Sequence, residues 1–110
     1  MDIFSLVELQ AQRANDGKLY QEFLQVPSMS AGVYELAAGA TDPQQPHTED
    51  ELYYVVQGRA RITVGNETQA VATGSLIFVA ATVPHRFHDI SEDLTVLVFF
   101  APAEYSQRTP

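Results

Sequence analysis

The sequence contains no cysteine. That excludes thiolate zinc sites, thiol nucleophiles and disulfides, so any metal must be held by nitrogen and oxygen donors alone. Basic residues are scarce as well. Six Lys and Arg stand against fourteen Asp and Glu, for a formal charge of −8. A surface of that sign repels phosphate backbones, so nucleic acid is not an expected partner. No apolar run approaches the roughly 18 residues that a membrane-spanning helix needs. The opening MDIFSLVELQ carries no basic leader. The expectation is a cytoplasmic protein with no membrane partner.

What is present is an ordinary globular composition, 110 residues of which 45% are hydrophobic and 18% charged. It predicts one domain over 1–110, large enough to bury a core without staples. Ser5 and Glu8 form a capping box, and Phe4, Val7, Ala11 and Ala14 recur at helical spacing before the stop signal Asn15-Asp16-Gly17. A short amphipathic helix over about 3–16 is expected to cover one end of a sheet. Strand patterns follow at 19–26, 32–38, 51–57, 59–64, 67–72, 75–80, 85–90 and 94–100, with Gly65-Asn66 as a tight turn and Ser91-Glu92-Asp93 as another. Eight short strands in regular succession predict an all-β fold, an antiparallel jelly-roll barrel or sandwich over about 19–100. Residues 101–110 read as an extended C-terminal arm, frayed or packed on a partner subunit.

The densest chemistry lies in GATDPQQPHTEDELYYVVQG, residues 39–58. Its spacing resembles the first signature of the cupin family: a glycine, five residues, His-x-His, three residues, Glu, six residues and a glycine. Gly39, His47, Glu51 and Gly58 match, and Gln45 stands at the first histidine position. GSLIFVAATVPHRFHD, residues 74–89, resembles the second signature: a glycine, five residues, Pro-x-Gly, two residues, His, three residues and Asn. Gly74 and His85 match, whereas Ala80, Thr82 and Asp89 depart. The resemblance covers about residues 32–100.

It implies a single divalent ion (iron, manganese, nickel or zinc) held by His47, Glu51 and His85, with Gln45 as a weaker neutral donor or as a partner for bound water. Elementary chemistry agrees with the three. Two neutral imidazoles and one carboxylate suit non-haem iron and leave positions open for substrate and dioxygen. Strand parity would set 45 beside 47 on one face. Pro43 and Pro46 would stiffen the loop that presents His47. Taken singly, His85 could be a structural histidine and His47 a solvent-exposed one.

By the same parity Tyr53 and Phe87 share a face with Glu51 and His85, and line the cavity or fill the core. Tyr53 is the candidate proton donor. Tyr34, Val96, Val98 and Phe100 are further cavity wall or core. Glu49 is expected as a solvated carboxylate in a turn, His88 on the opposite face at the surface or an interface, and Arg59 and Arg61 on a solvated face.

Three functions fit this pattern. The first is a metal-dependent dioxygenase or related enzyme acting on a small organic molecule, anionic or enolisable because two histidines and one glutamate leave a divalent ion with a net charge of +1. The second is a metal-free isomerase or epimerase using a histidine base and a tyrosine acid. The third is a non-catalytic small-molecule or metal-binding module, since one scaffold carries catalysts and binders alike. The resemblance also implies a homodimer, which would cover exposed strand edges.

Overall fold

The computed structural model describes residues 1–107. Helix α1 (Leu6–Asp16) precedes six strands: β1 (Tyr20–Val26), β2 (Met29–Leu36), β3 (Asp50–Val64), β4 (Glu67–Ala72), β5 (Leu76–Val79) and β6 (His85–Ala101). All pairings are antiparallel, in the order β1-β2-β6-β3-β4 with β5 added on β3. The sheet bends over on itself as a jelly-roll sandwich and does not close into a barrel. No helix among the described residues is long and apolar enough to cross a membrane.

Six strands replace the eight expected because two pairs of short strands are continuous. The stretches 51–57 and 59–64 are both β3, and 85–90 and 94–100 are both β6. The two long strands pair along their whole length, from Asp50 opposite Ala101 to Val64 opposite His85, with register shifts at Val55/Gln57, Gln57/Arg59 and Arg59/Arg61. Such bulges add local twist and bend a strand without ending it. Ser91-Glu92-Asp93 is therefore not a turn, since Glu92 pairs with Arg59 across the ladder. Gly58 occupies the bend at φ +111°, where a Cβ would lie 2.4 Å from the Asp93 carbonyl oxygen.

The bulges also flip the parity of β3. Glu51, Tyr53 and Val55 face inward before Gly58, Ala60 and Ile62 after it. Tyr53, Val55, Ala60 and Ile62 join Tyr34, Leu36, Phe87, Leu94, Val96, Val98 and Phe100 in the core between the two halves of the bent sheet.

The helix forms where its caps predict. The Ser5 side chain accepts from the Glu8 amide, and Gly17 closes the other end in the left-handed region. Its buried face differs from the expected one. Val7, Ala11 and Ala14 are exposed, while Leu9 is buried and Leu6, Gln10 and Arg13 are half-buried. A polar anchor decides the rotation. Glu35 on β2 accepts from Arg13 Nε at 2.7 Å, from Gln10 Nε2 at 3.0 Å and from Thr95 Oγ1 at 2.6 Å.

Burial pushes the Glu35 carboxyl up, but these donors outweigh it and hold the group below its ordinary value of 4.5. A carboxylate lowered on folding stabilises the fold above the unfolded value and loses that contribution as pH falls through the folded one. Glu35→Gln is therefore expected to cost about 1 kcal/mol at neutral pH. Its gap to the wild type should narrow in denaturant melts repeated below pH 4.5. A constant gap would contradict the assignment.

Candidate metal centre

Three elements converge at one end of the sandwich. His47 comes from the loop before β3, Glu51 is the second residue of β3, and His85 is the first residue of β6. Each can offer one ligand atom such that all lie within 4.8 Å of one another, and all three residues are buried. His85 Nε2 is 3.0 Å from Glu51 Oε1, and His47 Nδ1 is 3.7 Å from the same oxygen.

The hydrogen-bond pattern makes this cluster unusual. His85 Nδ1 lies 2.9 Å from the Val83 carbonyl oxygen, which can only accept, so Nδ1 carries the hydrogen and, in the neutral ring, Nε2 presents its lone pair. That lone pair faces a carboxylate, another acceptor. His85 Nε2, both Glu51 oxygens and His47 Nδ1 are all buried without a hydrogen-bond partner among the described residues. Buried acceptors set against acceptors need a cation or a hydrogen donor between them. A proton can serve. Burial lowers the His85 imidazole, but Glu51 and the Val83 carbonyl outweigh it and leave the group above its ordinary value. A divalent ion fits the same donor set, and the Val83 contact is the outer hydrogen bond that fixes a ligating histidine's tautomer.

The remaining expected residues fall on both sides. Residues 40–48 are a loop rather than a strand, so alternation does not hold there. Gln45 is exposed at the cavity mouth, and its neighbour Gln44 turns inward to accept from the Tyr53 hydroxyl at 2.8 Å. Tyr53 is fully buried and does not reach the cavity wall, nor does Phe87, whose ring packs against Tyr53 at 5.0 Å between centroids. Burial first, and then the charge of Glu51, push the Tyr53 phenol well above its ordinary value. Tyr34, Val98 and Phe100 do line the cavity, while Val96 lies in the core. His88 is half-buried on the other face, 2.7 Å from Thr63 Oγ1 and from Asp89, and Arg59 and Arg61 are exposed.

Glu49 corrects the expectation of a solvated carboxylate. It is 1% exposed and accepts from the Thr48 hydroxyl and from the amides of Tyr105 and Gln107. It thereby ties down the C-terminal arm, whose residues 102–107 fold back over the site instead of extending; positions 108–110 lie outside the described residues.

Two contributors carry no local sequence signal. Asp42 is buried and accepts from Tyr34 Oη at 2.5 Å, from the Phe87 amide at 2.9 Å and from Gln44 Nε2 at 2.7 Å, pinning the loop that carries His47. The Asp42-Pro43 pair signals a turn, but not a carboxylate turned inward. Tyr20 lies across Gly32, where a Cβ would come within 2.4 Å of its ring. Its buried hydroxyl has no hydrogen-bond partner among the described residues and stands on the cavity wall.

That cavity, of about 410 Å³, opens beside the cluster and is lined by Leu19, Tyr20, Tyr34, Val98, Phe100 and Tyr105 among others. It has room for a small organic molecule against His47 and Glu51.

A protein of Streptomyces coelicolor is 56% identical over 104 residues, covering 94% of this chain and 99% of its own length. One of Methanocaldococcus jannaschii is 30% identical over 82 residues, covering 68% of this chain and 65% of its own. Both are described as uncharacterized. Among solved structures, TT1209 from Thermus thermophilus superposes with a TM-score of 0.72 at 28% identity, over 94% of this chain and 99% of that one. The salicylate 1,2-dioxygenase of Pseudoaminobacter salicylatoxidans, solved in complex with gentisate, gives 0.70 at 15% identity over 87% of this chain and 30% of that one, a likeness of fold. The cupin domain model matches residues 32–100, from β2 through His47, Glu51 and His85 to the end of β6. This chain belongs to the cupin family.

Proposed function

We propose that the chain is a metal-dependent enzyme of the non-haem iron type, acting on a small organic molecule in the cavity beside His47 and Glu51. One observation carries the reading: His47 Nδ1, both Glu51 oxygens and His85 Nε2 are buried together without a hydrogen-bond partner among the described residues. Two imidazoles and a carboxylate would hold the ion, and a bound iron would supply a centre at which dioxygen and substrate meet. The chain's own residues do the rest. Tyr34, Val98 and Phe100 wall the site against water, and the Tyr20 hydroxyl is placed to donate to an oxygen of the ligand.

The charge of the site refines the ligand class. Among the described residues, the cavity wall carries Glu104 as well as Glu51 and no lysine or arginine. Two carboxylates balance a divalent ion, which removes the +1 that favoured a preformed anion. An uncharged, enolisable or phenolic molecule that loses a proton on binding suits it better.

The test is dioxygen uptake by iron-loaded protein across a panel of enolisable and phenolic compounds, beside zinc-loaded protein. Uptake that requires iron supports the proposal. Thermal stabilisation by a compound without turnover would make the chain a binding module, and turnover surviving chelation would make it a metal-free isomerase.

A homodimer belongs to the same reading. On the outer face of the sheet, Leu52 and Tyr54 of β3 stand opposite Phe78 and Leu76 of β5, and opposite Phe99 and Leu97 of β6. Leu76 and Phe78 are 67% and 61% exposed. A contiguous apolar face of this kind marks an association surface, and a second copy supplies an identical face about a two-fold axis. Sedimentation should find a dimer for the wild type and a monomer for Phe78→Glu. Monomeric wild type would remove this part of the account.

A further inference from the structure

The C-terminal arm does more than cover the cavity. Its Glu104 carboxylate, 14% exposed, places Oε2 3.0 Å from His47 Nε2, the ring nitrogen not turned to Glu51. Several contacts fix that carboxylate in place. The Glu104 amide donates to the Ser30 hydroxyl at 2.8 Å, the buried Ala103 sits one residue before it, and the next amide is held by Glu49. The His47 ring is further gripped on both sides. Phe100 packs against it at 4.7 Å between centroids, and Tyr105 stacks on it at 5.4 Å with planes 27° apart.

An imidazole has two nitrogens, and a partner at one decides what the other can offer. A carboxylate beside Nε2 favours the hydrogen there and leaves the Nδ1 lone pair for a metal. The same division is present at His85, where the Val83 carbonyl takes Nδ1–H and leaves Nε2 for the site. Glu104 does not share the mutual 4.8 Å spacing of the three ligand candidates, so it stands behind His47 and not among them.

We infer that Glu104, delivered by the C-terminal arm, is the positioning residue for His47: it sets the ring's tautomer and orientation and so raises metal affinity. This rests on the reading of His47, Glu51 and His85 as metal ligands. It also gives the arm a role, since a chain without it would present His47 unsupported at the cavity mouth.

Cobalt(II) is the probe, because its visible bands report the ligand set and chelator competition reports the affinity. Wild type, Glu104→Gln, Glu104→Asp and Glu51→Gln are compared as full-length chains, with the melting temperature of each metal-free form. Outer partners of ligating histidines are worth about 10- to 100-fold in affinity, so Glu104→Gln should bind cobalt weaker by that factor. Its band envelope and metal-free melting temperature should match the wild type, and Glu104→Asp, which keeps the charge, should recover part of the loss. Unchanged affinity in Glu104→Gln would overturn the inference and leave the metal centre standing. Bands altered as in Glu51→Gln would make Glu104 a ligand instead, which also overturns it. Wild type that binds no cobalt would end the metal reading and this inference together.

Discussion

His85→Ala and Glu51→Gln will each purify with almost no metal and bind added iron, manganese or zinc weaker by more than about 100-fold, the upper limit for losing only an outer partner. The size of the effect follows from the site. Three candidate ligands from three separate elements converge in a buried cluster, and removing one would leave two donors and an incomplete shell. Glu51 is 2% exposed, and in the metal-free chain its Oε1 lies 3.0 Å from His85 Nε2, so Glu51→Gln replaces a buried carboxylate by a neutral amide and gives up that pairing. The metal-free variant should still fold, losing about 1–3 kcal/mol against the metal-free wild type. Elemental analysis of protein purified without chelator, paired with thermal melts, reads both quantities. Loss of fold together with loss of metal in both variants would point to structural residues; retained metal in either would exclude it as a ligand.

The second large effect is mechanical. Gly58→Ala puts a Cβ 2.4 Å from the Asp93 carbonyl oxygen and 2.8 Å from the Leu94 Cα, at a φ of +111° that L-residues rarely adopt. Both obstacles are backbone, so no side chain can swing away. A cost of about 3 kcal/mol or more is expected, from backbone strain and from forcing apart β3 and β6 where both bend. For a domain of this size that lowers the melting temperature by roughly 12–24 °C. Gly39→Ala is the control. Gly39 has φ +79° but nothing within 4 Å of its would-be Cβ, so only the local strain of about 1–2 kcal/mol applies. The two glycines occupy equivalent places in the motif spacing, yet one is needed for conformation and the other for close approach as well. Equal losses in the two variants would contradict that distinction.

The same bend explains what could be read from the sequence and what could not. Period-two alternation is local, so Glu51 with Tyr53 and His85 with Phe87 are legible as pairs on one face, and both pairs do face inward. A bulge adds a residue without any marker in the chain, so strands joined across Gly58 and across Ser91-Glu92-Asp93 read as separate ones. Between 40 and 48 there is no period to extrapolate, which is why parity placed Gln45 beside His47 while the loop turned Gln44 inward. Helix α1 shows a different limit. Its caps are local and read correctly, but its rotation follows the reach of Gln10 and Arg13 to Glu35, a contact more than twenty residues away. Asp42, Glu49 and Glu104 are legible only as charges. What buries them is the approach of β6 and the C-terminal arm, contacts between residues 45 to 58 positions apart.

The most direct test of the central claim is anomalous diffraction from crystals of the metal-loaded protein, collected on both sides of the metal's absorption edge. The account predicts one strong peak within about 2.0–2.3 Å of a nitrogen of His47, a nitrogen of His85 and an oxygen of Glu51. A peak elsewhere, such as at His88 and Asp89 on the opposite face, or no peak between the three residues after loading, would contradict it.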